Sequence, residues 1–297
     1  MVFPENPLRD AYRVAVWDFW RPTASRLPAG WELRGNRSLG RLVYRLSRGK
    51  RLQVLENLRR GLPDIDHAAV AEQAFATHFA DQYVSWTFAR IARGEQYLEL
   101  QGLEHLDAAL KRGKGAVLMH AHLGLAQLPL CTLGARGYPV HQVGGGGVVH
   151  QLSATGQRVT DLRHRLEQHI PGRIWDGGKY LRPVLRVLED NHVLLAACDG
   201  TGGGKELGRR AERSVLGQTM RLPVGPVWMA LRSGAELLSL KTFHVDGHER
   251  SVIEPVSRPN DLDEGADRVA SLLESWLREH PGDWHLWDEF EPGRLLC

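Results

Sequence analysis

Two histidines stand one residue apart at the end of an apolar run, Gly115-Ala-Val-Leu-Met-His120-Ala-His122-Leu-Gly124. On a strand, His120 and His122 point to one face until the chain begins to turn. Zinc would need a third ligand, and none stands at a suitable spacing, so no metal site is expected. A neutral imidazole at a strand-to-helix turn suits a general base, and His122 is the candidate for that role. His120 reads as a structural histidine beside it. A base of this kind needs a partner that fixes its ring and stabilises its charged form. Gln127 can accept a hydrogen bond from an imidazole N–H but offers no negative charge. Asp199 ends a second apolar run, Val193-Leu-Leu-Ala-Ala-Cys-Asp199, and is followed by Gly200 and Gly202 to Gly204. Ligand-facing carboxylates of open α/β sheets sit at such strand ends. Aspartate is equally at home as a turn or cap residue, so both readings of Asp199 stand.

The glycines after Asp199 would let backbone N–H groups approach an anion, and Lys205, Arg209, Arg210, Arg213 and Arg221 follow closely. A phosphate of coenzyme A, of a carrier-protein arm or of a phospholipid would suit them; a solvated basic loop accounts for the same residues. Gly204-Lys205 is not a phosphate loop, because Asp199 stands where its first glycine belongs. The tetraglycine Gly144 to Gly147 likewise lacks the helix-opening spacing of a dinucleotide fingerprint.

These residues require a sheet to hold them. Apolar strands are expected at Ala116–His120, Val140–Val143, Val193–Cys198 and Leu237–Phe243, with helices near 124–135, 155–169, 179–190, 223–233 and 264–279. The alternation predicts an α/β fold, a mixed and mostly parallel central sheet flanked by helices. Before it, helices at Val54–Leu62 and 66–92 and an amphipathic segment at 8–20 form a helical annex, and a third helix at 104–112 leads into the sheet. The chain therefore divides into a basic annex over 1–100 and an α/β core over 101–297, within one compact unit. In the 8–20 segment, Leu8, Tyr12, Ala15, Val16, Phe19 and Trp20 recur at helical spacing. That face lies either in a membrane interface or on its own domain.

Composition bounds the rest. With 297 residues, 42% hydrophobic and 25% charged, the chain is that of an ordinary globular protein able to build a core without staples. Cys131, Cys198 and Cys297 are odd in number and widely spaced, which points to reduced thiols in the cytosol. No signal peptide opens the sequence, since Pro4, Glu5, Asn6 and Pro7 follow directly. The most apolar stretch, Val117 to Ala135, is interrupted by His120, His122, Gln127 and Pro129, so no membrane span is expected. The first sixty residues hold thirteen Lys or Arg against five acids, a charge of +8; with +3 overall, the remaining 237 residues carry −5. A basic segment on a mildly acidic body points to an anionic membrane surface, or to a solvated Arg-rich face; no nucleic-acid partner is expected.

The segment Gly102-Leu-Glu-His-Leu-Asp-Ala-Ala-Leu-Lys-Arg-Gly-Lys-Gly-Ala-Val-Leu-Met-His-Ala-His122-Leu-Gly124 resembles the centre of the lipid A late acyltransferase family, the lauroyl and myristoyl transferases, within the lysophospholipid acyltransferase-like superfamily. Phosphatidylinositol mannoside acyltransferases share the pattern. Glu56-Asn57-Leu58-Arg59-Arg60, Leu222-Pro-Val-Gly-Pro226, Ile253-Glu254-Pro255 and Trp284-His-Leu-Trp287 continue it in order. The resemblance implies acyl transfer from a thioester on acyl carrier protein or coenzyme A to a hydroxyl or amine, with no cofactor beyond that co-substrate. It also implies a cytoplasmic protein, peripheral on the inner face of the cytoplasmic membrane. In the family a histidine and an acid five residues later form the catalytic dyad. His122 holds the first place, but Gln127 holds the second; the family has an aspartate at the place of Asp199. Arg158 lies near the place of a functional arginine, and with Gly124, Lys205, Arg221 and His120 it makes up the candidate substrate-binding set. The departure at Gln127 leaves two alternatives: a catalytically impaired acyl- or lipid-binding homologue, or a thioester hydrolase. After Trp287 the family commonly has basic residues, whereas this chain has Asp288, Glu289 and Glu291, which implies an acceptor without phosphate at that edge.

Overall fold

Ala116–His120 is apolar up to its last residue and buried throughout, the mark of a strand covered on both faces. It forms the middle of the sheet in a computed structural model that describes residues 5–144, 152–176, 182–200 and 208–297. In chain order the helices are α1 Pro7–Val14, a π-helical turn Ala15–Trp20, α2 Arg21–Ala24, α3 Trp31–Leu46, α4 Arg48–Gly61, α5 His67–Gln82, a 3-10 turn Val84–Thr87 and α6 Phe88–Ile91. Strand β1 Leu98–Gln101, α7 Leu103–Lys111, β2 Ala116–His120, α8 Leu128–Ala135, β3 Val140–Gly144, α9 Ala154–Glu167 and β4 Gly172–Asp176 follow. Then come α10 Arg182–Glu189, β5 Val193–Ala197, β6 Arg210–Val215, β7 Gln218–Pro223, α11 Gly225–Ser233, β8 Glu236–Val245, β9 His248–Pro255 and α12 Leu262–Glu279.

Seven strands form one sheet in the order β1-β9-β8-β2-β5-β3-β4; every pairing is parallel except the β8–β9 hairpin. Strands β6 and β7 make a separate antiparallel pair. The expected α/β class with a mixed, mostly parallel sheet flanked by helices is therefore what the chain adopts. Alternate residues of β2 serve different layers. Val117 and Met119 join a core with α4, α5, α10, α11 and α12, while Ala116 and Leu118 join one with α3, α6, α7 and α8. A third cluster seats the N-terminal helices: Val16 and Trp17 pack against Phe79, Tyr83 and Trp86. Trp17 meets Tyr83 and Trp86 edge-on at 5.9 and 5.5 Å, and the Tyr12 and Tyr83 hydroxyls are 2.7 Å apart. For residues 8–20, Tyr12, Val16 and Trp17 thus pack on their own domain, while Leu8 and Phe19 stay exposed.

Several elements differ from their expected forms. The helix expected over 66–92 stops at Gln82 and passes into a tighter turn at Val84–Thr87, within which the Thr87 hydroxyl bonds the Val84 carbonyl. Helix α8 begins at Leu128 instead of 124, since the residues before it are used in the turn at Gly124. Helix α3 has no counterpart in the sequence reading. Its Gly40 weakens the helical pattern, yet a Cβ there would stand 2.4 Å from the Phe75 carbonyl oxygen, so the glycine is what lets α3 lie against α5. Among the described residues no helix is long and apolar enough to cross a membrane.

Candidate active site

Strands β2 and β5 pair in parallel with His120 opposite Ala197. Two residues further along each chain, the same register brings His122 level with Asp199. The backbone N–H of His122 donates to Asp199 Oδ2 at 2.8 Å, and its Nδ1 stands 2.9 Å from Asp199 Oδ1. The indole N–H of Trp284 donates to Oδ2 at 2.9 Å. Asp199 is fully buried, so burial alone would favour its neutral form, but the imidazole, the indole N–H and the backbone N–H hold it below the usual carboxylate range. For His122, burial opposes the charged ring; the Asp199 carboxylate, with Asp81 and Glu289 nearby, outweighs that and raises its pKa. The side chain of His122 keeps 32% of its surface exposed, although its partner Asp199 is fully buried.

The turn that aims His122 depends on Gly124. Its φ is +60°, and a Cβ would lie 2.6 Å from the Thr242 carbonyl oxygen. The C-terminal segment closes over the turn: Gly124 N–H donates to the Asp283 carbonyl at 2.8 Å, and His285 N–H to the His122 carbonyl at 2.9 Å. Trp284 itself is fully buried, edge-on to Trp287 at 4.9 Å and to Phe290 at 5.9 Å. Asp81 accepts from the Ala126 N–H at 2.9 Å and faces His285 Nδ1 at 3.5 Å. Asp81, Asp283 and His285 are site residues that the sequence reading did not single out; the Trp284-His-Leu-Trp287 motif was the one signal for the last.

The remaining candidates divide. His120 is buried at the end of β2, its Nδ1 3.1 Å from the Ala121 carbonyl and its Nε2 without a partner among the described residues; burial and His122 keep its pKa low. Gln127 caps the start of α8 through its backbone, and its side-chain Oε1 is buried with no hydrogen-bond partner among the described residues. It is therefore Asp199, not Gln127, that bonds His122. Arg158 is not brought to the pair: it lies exposed on α9, and both its terminal nitrogens bond Asp18 at 2.8 Å. Arg221 belongs to β7, where its N–H bonds the Leu295 carbonyl at 3.0 Å. Lys205 and Gly145 to Gly147 lie outside the described residues. Cys131 and Cys198 are buried and Cys297 is exposed. Among the described residues no group of three or more His, Cys, Asp or Glu side chains is placed to hold a metal ion.

The acids after Trp287 are placed otherwise than expected. Asp288 and Glu289 are buried; Asp288 Oδ2 pairs with Lys50 at 3.1 Å, and Gln53 bonds both the Asp288 carbonyl and Glu291. They tie the C-terminal segment to α4 instead of lining an acceptor edge, and so give no ground for excluding a phosphorylated acceptor.

The class that this arrangement defines has known members. The model of the bacterial lipid A biosynthesis acyltransferase family matches residues 13–288, and the chain belongs to that family. Phosphatidylinositol mannoside acyltransferases of two Mycobacterium tuberculosis strains are each 30% identical to it over 193 residues, 62% of this chain and 57% of theirs. The match thus spans less than two thirds of the length of these relatives.

Proposed function

We propose that the protein is an acyltransferase that moves a fatty acyl group from a thioester, on acyl carrier protein or coenzyme A, to a hydroxyl or amine of a lipid acceptor. The observation that carries this reading is the 2.9 Å contact of His122 Nδ1 with a buried, ionised Asp199. With Nδ1 protonated and turned to Asp199, Nε2 is left as the base. It takes the acceptor proton as the oxygen or nitrogen attacks the thioester carbon. Collapse of the tetrahedral intermediate breaks the C–S bond, and the imidazolium returns its proton to the leaving thiolate. Asp199 stabilises the imidazolium between these steps, the part that Gln127 could not supply. Membership of the family, and acyltransferases among the relatives, support the same reading.

Peripheral contact with the cytoplasmic face of a membrane is part of the proposal. Of the seven large hydrophobic side chains left exposed among the described residues, six lie in the first sixty: Leu8, Phe19, Trp31, Leu42, Leu46 and Leu52. They share that segment with its +8 charge, the combination that favours an anionic interface. The test is thioester consumption with acyl coenzyme A and acyl carrier protein across lipid acceptors. His122→Ala should lower turnover by about 10³-fold or more; unchanged turnover overturns the mechanism. Free fatty acid as the sole product would instead assign hydrolysis.

A further inference from the structure

A cavity of about 850 Å³ lies between α3 and the turn of the β8–β9 hairpin, and neither His122 nor Asp199 lines it. Strand β8 runs alongside β2, with Leu240 opposite His120, so His244 stands about 13 Å beyond the end of β2 at some 3.3 Å per residue. Helix α3 turns Arg34, Arg37 and Arg41 into this cavity at helical spacing, and His244 and His248 face them. Two acids are also present, and both are engaged. Buried Glu249 accepts from Arg37 at 2.6 Å and lies 2.8 Å from His244 Nδ1, while Glu99 accepts from Arg250 at 3.0 Å. Arg34 and Arg41 have no carboxylate partner among the described residues; Arg34 lies over the Trp31 ring. Arg34 and Arg41 thus remain in the cavity wall as two positive charges with no carboxylate partner among the described residues.

Two further observations point to an anionic ligand. Arg37 lines the cavity at 4% exposure, and its buried Nε has no hydrogen-bond partner among the described residues. The sixteen-residue α3 starts at Trp31 with Gly30, also in that wall, as its N-cap; no side chain among the described residues caps it, though the Trp31 N–H bonds the Pro28 carbonyl at 3.1 Å, and its positive dipole end lies at the cavity. Three planar guanidinium forks on one helix face, beside the helix start, offer more donors than one carboxylate can accept and suit the several oxygens of a phosphate.

We propose that this cavity binds a phosphate group, carried either by the nucleotide part of a coenzyme A thioester or by a phospholipid headgroup. The buried side of the site also reaches the catalytic turn. Arg37 donates to the Thr77 hydroxyl at 3.0 Å, Thr77 to Asp283 at 3.0 Å, and Asp283 accepts from Gly124 through its carbonyl. The inference stands on the cavity alone and does not depend on the role given to His122.

The experiment is equilibrium binding to the full chain by calorimetry, with adenosine 3′,5′-bisphosphate, glycerophosphoinositol and, as phosphate-free control, adenosine. At least one phosphate compound should bind and adenosine should not. Binding should weaken between about 50 and 300 mM salt. Arg34→Gln with Arg41→Gln, both exposed and outside the ion pairs of the fold, should weaken it by about tenfold per arginine. Lysine at both positions should restore part of the affinity. Binding of the bisphosphate alone assigns the cavity to the donor, and of glycerophosphoinositol alone to a lipid headgroup. If neither phosphate compound binds, or if the double glutamine variant binds as tightly as the parent, the proposal is overturned. No arm reads acyl transfer, so failure of the His122 mechanism leaves this test intact.

Discussion

Asp199 and Asp283 are both completely buried, and both lie beside Trp284, yet their acidities move in opposite directions. At each, burial is the largest influence and favours the neutral acid. Around Asp199 it is overcome by a titratable imidazole, a backbone N–H and an indole N–H, all within 2.9 Å. Asp283 has the Thr77 hydroxyl at 3.0 Å and a longer bond from His244 N–H at 3.2 Å, with Arg37 acting from farther off, and its pKa stays raised. Burial therefore does not set the charge of a carboxyl group; the number and closeness of donors do. One aspartate is held ready to face an imidazolium, and the other ties α5, β8 and the C-terminal segment together.

The largest expected effect breaks that contrast at Asp199. Asp199→Asn should lower kcat/KM for acyl transfer by about 10³–10⁴-fold, as the amide keeps the shape but removes the charge. The same variant should move the pH profile. His122 titrates above the ordinary imidazole value of 6.5, and as a base it must be neutral, so the rate should rise with pH through that raised value. Without the Asp199 charge the acid limb should shift to lower pH. An unmoved limb would show that another group controls it.

A smaller effect separates the two aspartates by stability. Asp199 has a lowered pKa, so its ionised form adds stability above the unfolded value near 3.8, and that contribution is lost as pH falls through the folded value. Asp283 has a raised pKa, so its ionisation costs stability as pH rises above 3.8. Between about pH 2 and pH 7 the destabilisation caused by Asp199→Asn should therefore grow, nearly all of it below about pH 5, while that caused by Asp283→Asn should shrink as pH rises above 3.8. Denaturant melts of both variants across this range give the two slopes, and slopes of the same sign would refute the assignment.

The sequence made the strands of the site legible and left their meeting hidden. Strand β2 has the bounds expected of it, and β5 and β8 differ only at their ends, because each is a short unbroken apolar run. His122 and Asp199 were each visible as a polar residue ending such a run. That they touch follows from the β2–β5 register, a pairing across 77 residues that no local pattern encodes. Asp283 and Asp81 were invisible for the same reason, since their partners are Thr77, His244 and Ala126 on other elements. Arg158 shows the converse: resemblance placed it near the site, whereas its bonds to Asp18 fasten α9 to the N-terminal segment.

The smallest expected effect concerns Gln127. If the dyad were a weakened form of one with an acid five residues after the histidine, Gln127→Glu would restore the missing charge and raise the rate by orders of magnitude. The site argues otherwise. Asp199 already supplies a carboxylate to Nδ1, and the Gln127 side-chain oxygen is buried without a partner among the described residues, so desolvation would make a carboxyl introduced there hold its proton. The expected change in kcat/KM is therefore less than about tenfold, with the acid limb of the pH profile where it was. A gain of a hundredfold or more would mean that Asp199 only positions the turn and that the charge His122 needs comes from position 127.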